Sequence, residues 1–137
     1  MKLLISGSRS ITDYETVKNA IEKGLAELKI KPQQISEFVH GGAKGVDRLG
    51  QRWAKENNIP DKIFIPDWNG EGKRAGMLRN IEMCEYVGEN GYLVVVHDGE
   101  SKGTLQCYNY AKNMGIKTAY IKCNKTETVY VERNNPS

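Results

Sequence analysis

His40-Gly41-Gly42-Ala43-Lys44-Gly45-Val46-Asp47 gathers the residue types that hold an anion, and it follows the apolar run Phe38-Val39. Glycines allow close backbone approach, and the amphipathic segment that starts at Val46 begins with N–H groups that have no internal partner. The stretch is read as a phosphate-binding loop, with Lys44 exposed and able to assist anion capture. A strand-to-helix turn that needs glycine only for its dihedrals is the plain alternative. Two more glycine-bearing loops, Gly7-Ser8-Arg9 and His97 to Thr104, also follow apolar runs. The Arg9 guanidinium suits bidentate phosphate binding, against the plainer reading of a solvated surface arginine.

Metal chemistry has little support. His40 and His97 are the only histidines, and Cys84, Cys107 and Cys123 form no C-x-x-C pair. Both histidines are expected to form pocket wall or hydrogen bonds, and neither a metal nor a cofactor is assigned. The odd, scattered cysteines point to a reducing compartment and a cytoplasmic address. A formal net charge of +3, with lysines and arginines spread among acidic neighbours, disfavours nucleic acid as the main partner but suits a small anion. No apolar stretch reaches the roughly 18 residues of a membrane span. Met1 to Ile5 is read as a first strand rather than a leader.

The elements that must position these loops alternate. Strands are predicted at Lys2–Ile5, Ile35–Val39, Ile63–Ile65, Tyr92–Val96 and Thr118–Ile121, with an edge strand at Thr128–Val131. Helices are expected from a Thr12/Glu15 capping box up to Pro32, over Val46–Asn58, from Met77 through Leu78, Ile81 and Cys84, and over Thr104–Met114. Asp67 to Lys73 is read as a loop. Such alternation implies βαβ units and a doubly wound, mostly parallel sheet, whose ligands sit beyond the carboxyl ends of the strands. The three loops would share that edge.

GSR, HGGAKGVDRLGQRWA, PDWNGEGKRAGMLRNIEM and HDGESKGTLQCYNYAKNMG follow the first four strands in order. Together they resemble the YspA-type branch of the SLOG superfamily, over roughly residues 1 to 122. That superfamily also holds the LOG phosphoribohydrolases, YpsA-like proteins and the Rossmann-like domain of the DNA-processing protein DprA. The resemblance implies an α/β Rossmann-like three-layer sandwich with five strands ordered 3-2-1-4-5, in a nucleotide-binding domain over 1–122 with residues 123–137 as its extension. It also implies a pocket for a nucleotide-derived ligand, and a homo-oligomer is expected.

The ligand-binding residues that follow are Gly7, Ser8 and Arg9; Gly41, Gly42, Ala43, Lys44, Gly45 and Asp47; Asp67, Trp68, Gly76, Arg79 and Asn80; and Asp98, Ser101, Gly103 and Thr104. Gly41, Gly42, Ala43 and Gly45 would offer amides to phosphate. Asp47 either complements the dipole and caps the helix or accepts from a ribose hydroxyl. Trp68 either stacks on a base or packs over the pocket. Arg79 either points at the site or is a surface helix arginine. Gly103-Thr104 matches the step that opens the phosphate-holding helix of LOG enzymes, but Leu105-Gln106-Cys107 stands where LOG enzymes carry acidic residues. Cleavage of an N-glycosidic bond needs titratable carboxyls, and Gln106 has none. Asp47, Glu82, Asp98 and Glu100 remain, with no spacing that singles out a pair. A non-catalytic sensor or sequestering protein is therefore the leading expectation, a LOG-like N-glycosidic hydrolase the alternative.

Overall fold

A computed structural model describes residues 1–124. Five strands, β1 (Lys2–Gly7), β2 (Glu37–His40), β3 (Asp61–Ile63), β4 (Tyr92–His97) and β5 (Lys117–Lys122), form one sheet in the order β3-β2-β1-β4-β5. Every pairing is parallel, from Phe38 opposite Asp61 at one edge to Tyr92 opposite Lys117 at the other. Helices α1 (Tyr14–Leu28), α2 (Val46–Glu56), α3 (Trp68–Glu71), α4 (Ala75–Val87) and α5 (Lys102–Asn113) connect them. The Rossmann-like class and strand order are those the sequence predicts; the proposed Thr128–Val131 strand lies outside the described residues.

Side chains alternate across the strands and divide the interior into two layers. Leu3, Ile5, Phe38, Val94 and Val96 face Val17, Ile21 and Leu25 of α1 and Val46, Trp53 and Ala54 of α2. Leu4, Val39, Leu93 and Val95 face Met83, Cys84 and Val87 of α4 and Cys107 and Ala111 of α5. Because β1 and β4 are covered on both faces, they read as continuous apolar runs. No helix among the described residues is long and apolar enough to cross a membrane.

Several boundaries differ from the sequence reading. Asp13, not Thr12, caps α1, accepting from the Thr16 amide at 3.0 Å, and the helix ends at a left-handed Lys29 before Pro32. The third strand covers Asp61–Ile63 rather than Ile63–Ile65 and is exposed throughout, because it is the sheet's edge. Asp67 to Lys73 is partly helical, as α3 and a 3-10 turn at Gly72–Arg74. The buried face of α4 is Ala75, Asn80, Met83, Cys84 and Val87; Met77, the first residue of the helical spacing read from the sequence, is 42 % exposed.

Two glycines let α2 approach the first strand. A Cβ on Gly7 would lie 2.3 Å from the Val46 side chain. Gly45 has φ +82°, and a Cβ there would meet the Ser8 carbonyl at 2.7 Å. The start of α2 is thereby held against the end of β1, which brings their two loops together.

Candidate functional site

In an order of 3-2-1-4-5 the direction in which successive strands are added reverses between β1 and β4, and beyond their carboxyl ends lies a cleft of about 620 Å³. Gly7 and Arg9 after β1, Ala43 and Asp47 after β2, Trp68, Gly76, Arg79 and Asn80 after β3, and Asp98, Ser101, Gly103 and Thr104 after β4 all line it. Ser8, Gly41, Gly42, Lys44, Gly45 and Asp67 stand outside its wall. Ser6, Ser10, Met77, Met83 and Lys102 also line it and were not named as site residues from the sequence, and Gln106, noted there only for lacking a titratable carboxyl, lines it too.

The loops after β1 and β4 are tied together. The Ser8 amide donates to the Val96 carbonyl at 3.1 Å, the Asp98 amide to the Ser8 hydroxyl at 3.0 Å, and the Ser10 hydroxyl to the Asp98 carboxylate at 2.6 Å. The other Asp98 oxygen accepts from the Glu100 and Ser101 amides at 2.7 and 2.9 Å. Burial pushes this carboxyl up, but the hydrogen bonds from Ser10, the Ser101 amide and Ser8 outweigh it and hold Asp98 below its ordinary value. A depressed carboxylate contributes stability that is complete above the usual 3.8 and disappears as pH falls through the lower native value. Asp98→Asn is expected to cost about 1 kcal/mol at neutral pH, the charged hydrogen bonds being discounted for solvent access, and to flatten the acid limb of the stability curve. Thermal unfolding of both proteins from pH 7 to pH 3 checks this; parallel curves would refute it.

His97 buttresses the same loop. One ring nitrogen pairs with the Tyr120 hydroxyl at 2.5 Å and the other with the Ser101 carbonyl at 2.9 Å. Ser101 then caps α5, accepting from the Thr104 amide at 3.3 Å. The Lys102 and Gly103 amides are left without an acceptor among the described residues, at the positive end of the helix.

The glycine loop departs from its expected role. The Gly41 amide donates to Asp47 Oδ2 at 3.1 Å, the Ala43 amide to the same oxygen at 3.4 Å, and the Gly42 amide to His40 Nδ1 at 3.1 Å. These three amides therefore point into the protein rather than at an anion. Asp47 is 5 % exposed and binds the loop that precedes its helix, neither capping α2 nor standing free for a ribose. Burial pushes its carboxyl up, opposed by Arg79, His40 and the two loop amides. His40 in turn donates from Nε2 to Asp61 at 2.9 Å, which fastens the loop to the edge strand and keeps Asp61 below its ordinary value.

Arg79 holds the loop from the other side. Its terminal nitrogen donates to the Gly41 carbonyl at 2.7 Å and the Phe64 carbonyl at 3.4 Å, and its Nε donates to Asn80 Oδ1 at 3.0 Å. Burial presses this guanidinium below its ordinary value; Asp47 opposes the shift, and Arg9, a nearby like charge, adds to it. Arg9 is exposed and makes no hydrogen bond or ion pair among the described residues. On the far wall Trp68 is 51 % exposed, and a methyl group at Gly76 would meet its ring at 3.5 Å, so the indole lies along the first turn of α4.

The arrangement offers an anion one free guanidinium, the Lys102 ammonium and the open start of α5. Trp68, Met77 and Met83 supply an apolar wall to the same cleft. For general acid or base chemistry it offers less: Asp47 is sealed under its loop, and both oxygens of Asp98 accept hydrogen bonds.

A family model described as the YspA, cpYpsA-related SLOG family matches residues 1–70. The gene 61 protein of Mycobacterium phage D29 is 36 % identical over 120 residues, covering 84 % of this chain and 91 % of the phage protein. No solved structure matches the chain.

Proposed function

Because the chain belongs to the YspA, cpYpsA-related SLOG family, we propose that it binds a nucleotide or nucleotide-derived signalling molecule, as a sensor or sequestering protein, without catalysing its cleavage. The observation that carries this reading is the joining of a cationic mouth to an apolar wall in one cleft at the switch point of the sheet. Arg9 and Arg79 are neighbouring like charges, and an anion at the mouth relieves their repulsion while meeting Lys102 and the unbonded amides of α5. Its volume lies within the range of about 300–1,000 Å³ typical of small-molecule sites. The carboxyls that line the cleft are poorly placed for catalysis, since Asp47 and Asp98 are each engaged in holding a loop and Gln106 does not titrate.

The test is to purify the protein from cells, record its mass under native conditions, then denature it and chromatograph what is released. An intact nucleotide-class molecule, in fixed stoichiometry with the cleft, is expected. Incubation with nucleoside monophosphates, nicotinamide dinucleotide or cyclic dinucleotides should release no free base. Turnover that is lost on replacing Asp47, Glu82 or Asp98 would establish the hydrolase instead.

A further inference from the structure

The polarity of one cleft-lining amide follows from its neighbours. Asn80 is 6 % exposed, and two of its three partners, Arg79 Nε and the Gly103 carbonyl, are of fixed character. Arg79 Nε can only donate, so the atom 3.0 Å from it is Asn80 Oδ1. The Gly103 carbonyl can only accept, so the atom 3.3 Å from it is Asn80 Nδ2. The same Nδ2 lies 2.9 Å from Gln106, which must therefore present its Oε1 to Asn80. The Gln106 NH₂ group is left with no hydrogen bond among the described residues. It is not a buried orphan either, since the Trp53 indole nitrogen alone has that status among them. Gln106 is half-buried and lines the cleft.

We propose that Gln106 is a specificity-determining residue of the cleft, its NH₂ fixed by the Arg79–Asn80 relay as a donor that requires an acceptor oxygen or ring nitrogen on the ligand and refuses an amino group there. This deepens the reading of the cleft as a nucleotide-class site and rests on it. A donor built this way discriminates strongly, because a ligand without the acceptor leaves a desolvated N–H unpaired.

Gln106→Glu reverses this polarity. The carboxylate keeps an oxygen for Asn80, exchanges the cleft-facing donor for an acceptor and adds a negative charge, whose through-space repulsion of a phosphate is separated by repeating the titrations at high salt, where it is screened. Gln106→Met removes the donor without reversing it. Calorimetric titration of AMP, GMP, CMP, UMP and ADP-ribose into wild type and both variants, with thermal midpoints to confirm folding, supplies the test. For whichever probe binds wild type, affinity should fall severalfold in Gln106→Met and at least tenfold further in Gln106→Glu at pH 7. The Gln106→Glu deficit relative to wild type should shrink as pH approaches the usual glutamate value of about 4.3, where a protonated carboxyl again donates. Equal affinity for wild type and Gln106→Glu, or equal losses in the two variants, overturns the donor role and leaves the binding reading standing. Failure of wild type to bind any of the five probes overturns both.

Discussion

Replacing Arg9 by alanine is expected to weaken binding of the proposed nucleotide-class ligand about 10- to 150-fold while leaving the thermal midpoint within a degree or so of wild type. The magnitude is that of one charge-assisted contact to a phosphate, roughly 1.5 to 3 kcal/mol. The unchanged midpoint follows from the position of Arg9: it is exposed and holds nothing else in place. Its electrostatic influence on Arg79 is repulsive, so the apoprotein loses no attraction when Arg9 is removed. Because a ligand contact at the mouth is partly solvated, the loss should be steeper at low ionic strength. Calorimetry at two salt concentrations, with a thermal scan of each protein, measures all three quantities. An unaltered affinity would remove Arg9 from the anion site, and a collapsed transition would make it a structural residue.

Arg79→Ala should behave in the opposite way, losing about 3 kcal/mol of stability and on the order of 10 °C in midpoint before any ligand is added. The guanidinium satisfies the Gly41 and Phe64 carbonyls and fixes Asn80. Its removal leaves those acceptors unmatched in a partly buried setting and takes away the positive charge that favours ionised Asp47. Arg79→Lys should recover only part of the loss, since a single ammonium on a flexible stem does not reach three acceptors in one plane. Denaturant unfolding of the three proteins decides the matter. Were Arg79→Ala as stable as wild type, the loop would have to be held by Asp47, His40 and Arg48, whose Nε donates to the Gly42 carbonyl at 3.0 Å.

These two arginines also show what a sequence of this kind makes legible. The doubly wound layers and the convergence of the loops on one edge follow from alternating apolar runs and glycine turns, regularities set by backbone geometry, whereas the strand order is implied only by the resemblance of the four loop motifs to the SLOG superfamily. Arg9 lies in a strand-end loop where little else can occupy its donors. Arg79 lies on a helix, and helical spacing reveals which face it occupies but not that the carbonyls of Gly41 and Phe64 meet that face from residues far away in the chain. The same limit applies to the glycine loop. Gly-Gly-Ala fits amides aimed outward and amides aimed inward equally well; the direction is decided by Asp47 and His40, whose side chains close on the loop only in three dimensions. Asn80 was legible as a motif residue but not as a buried relay, because a polar side chain on an apolar stripe normally breaks the pattern used to find the core. Met77 fits that stripe and is nonetheless exposed in the cleft.

The stitching of the β1 and β4 loops through Ser8, Ser10 and Asp98 has a kinetic consequence. Two rims joined by several short hydrogen bonds, one of them further braced by His97, have little freedom to open or fold over an arriving molecule. Association should then be a single bimolecular event: in stopped-flow mixing, the observed rate climbs in proportion to ligand concentration, with no plateau and no second phase. Differences in affinity among related ligands will then appear in how long each one stays rather than in how quickly it arrives.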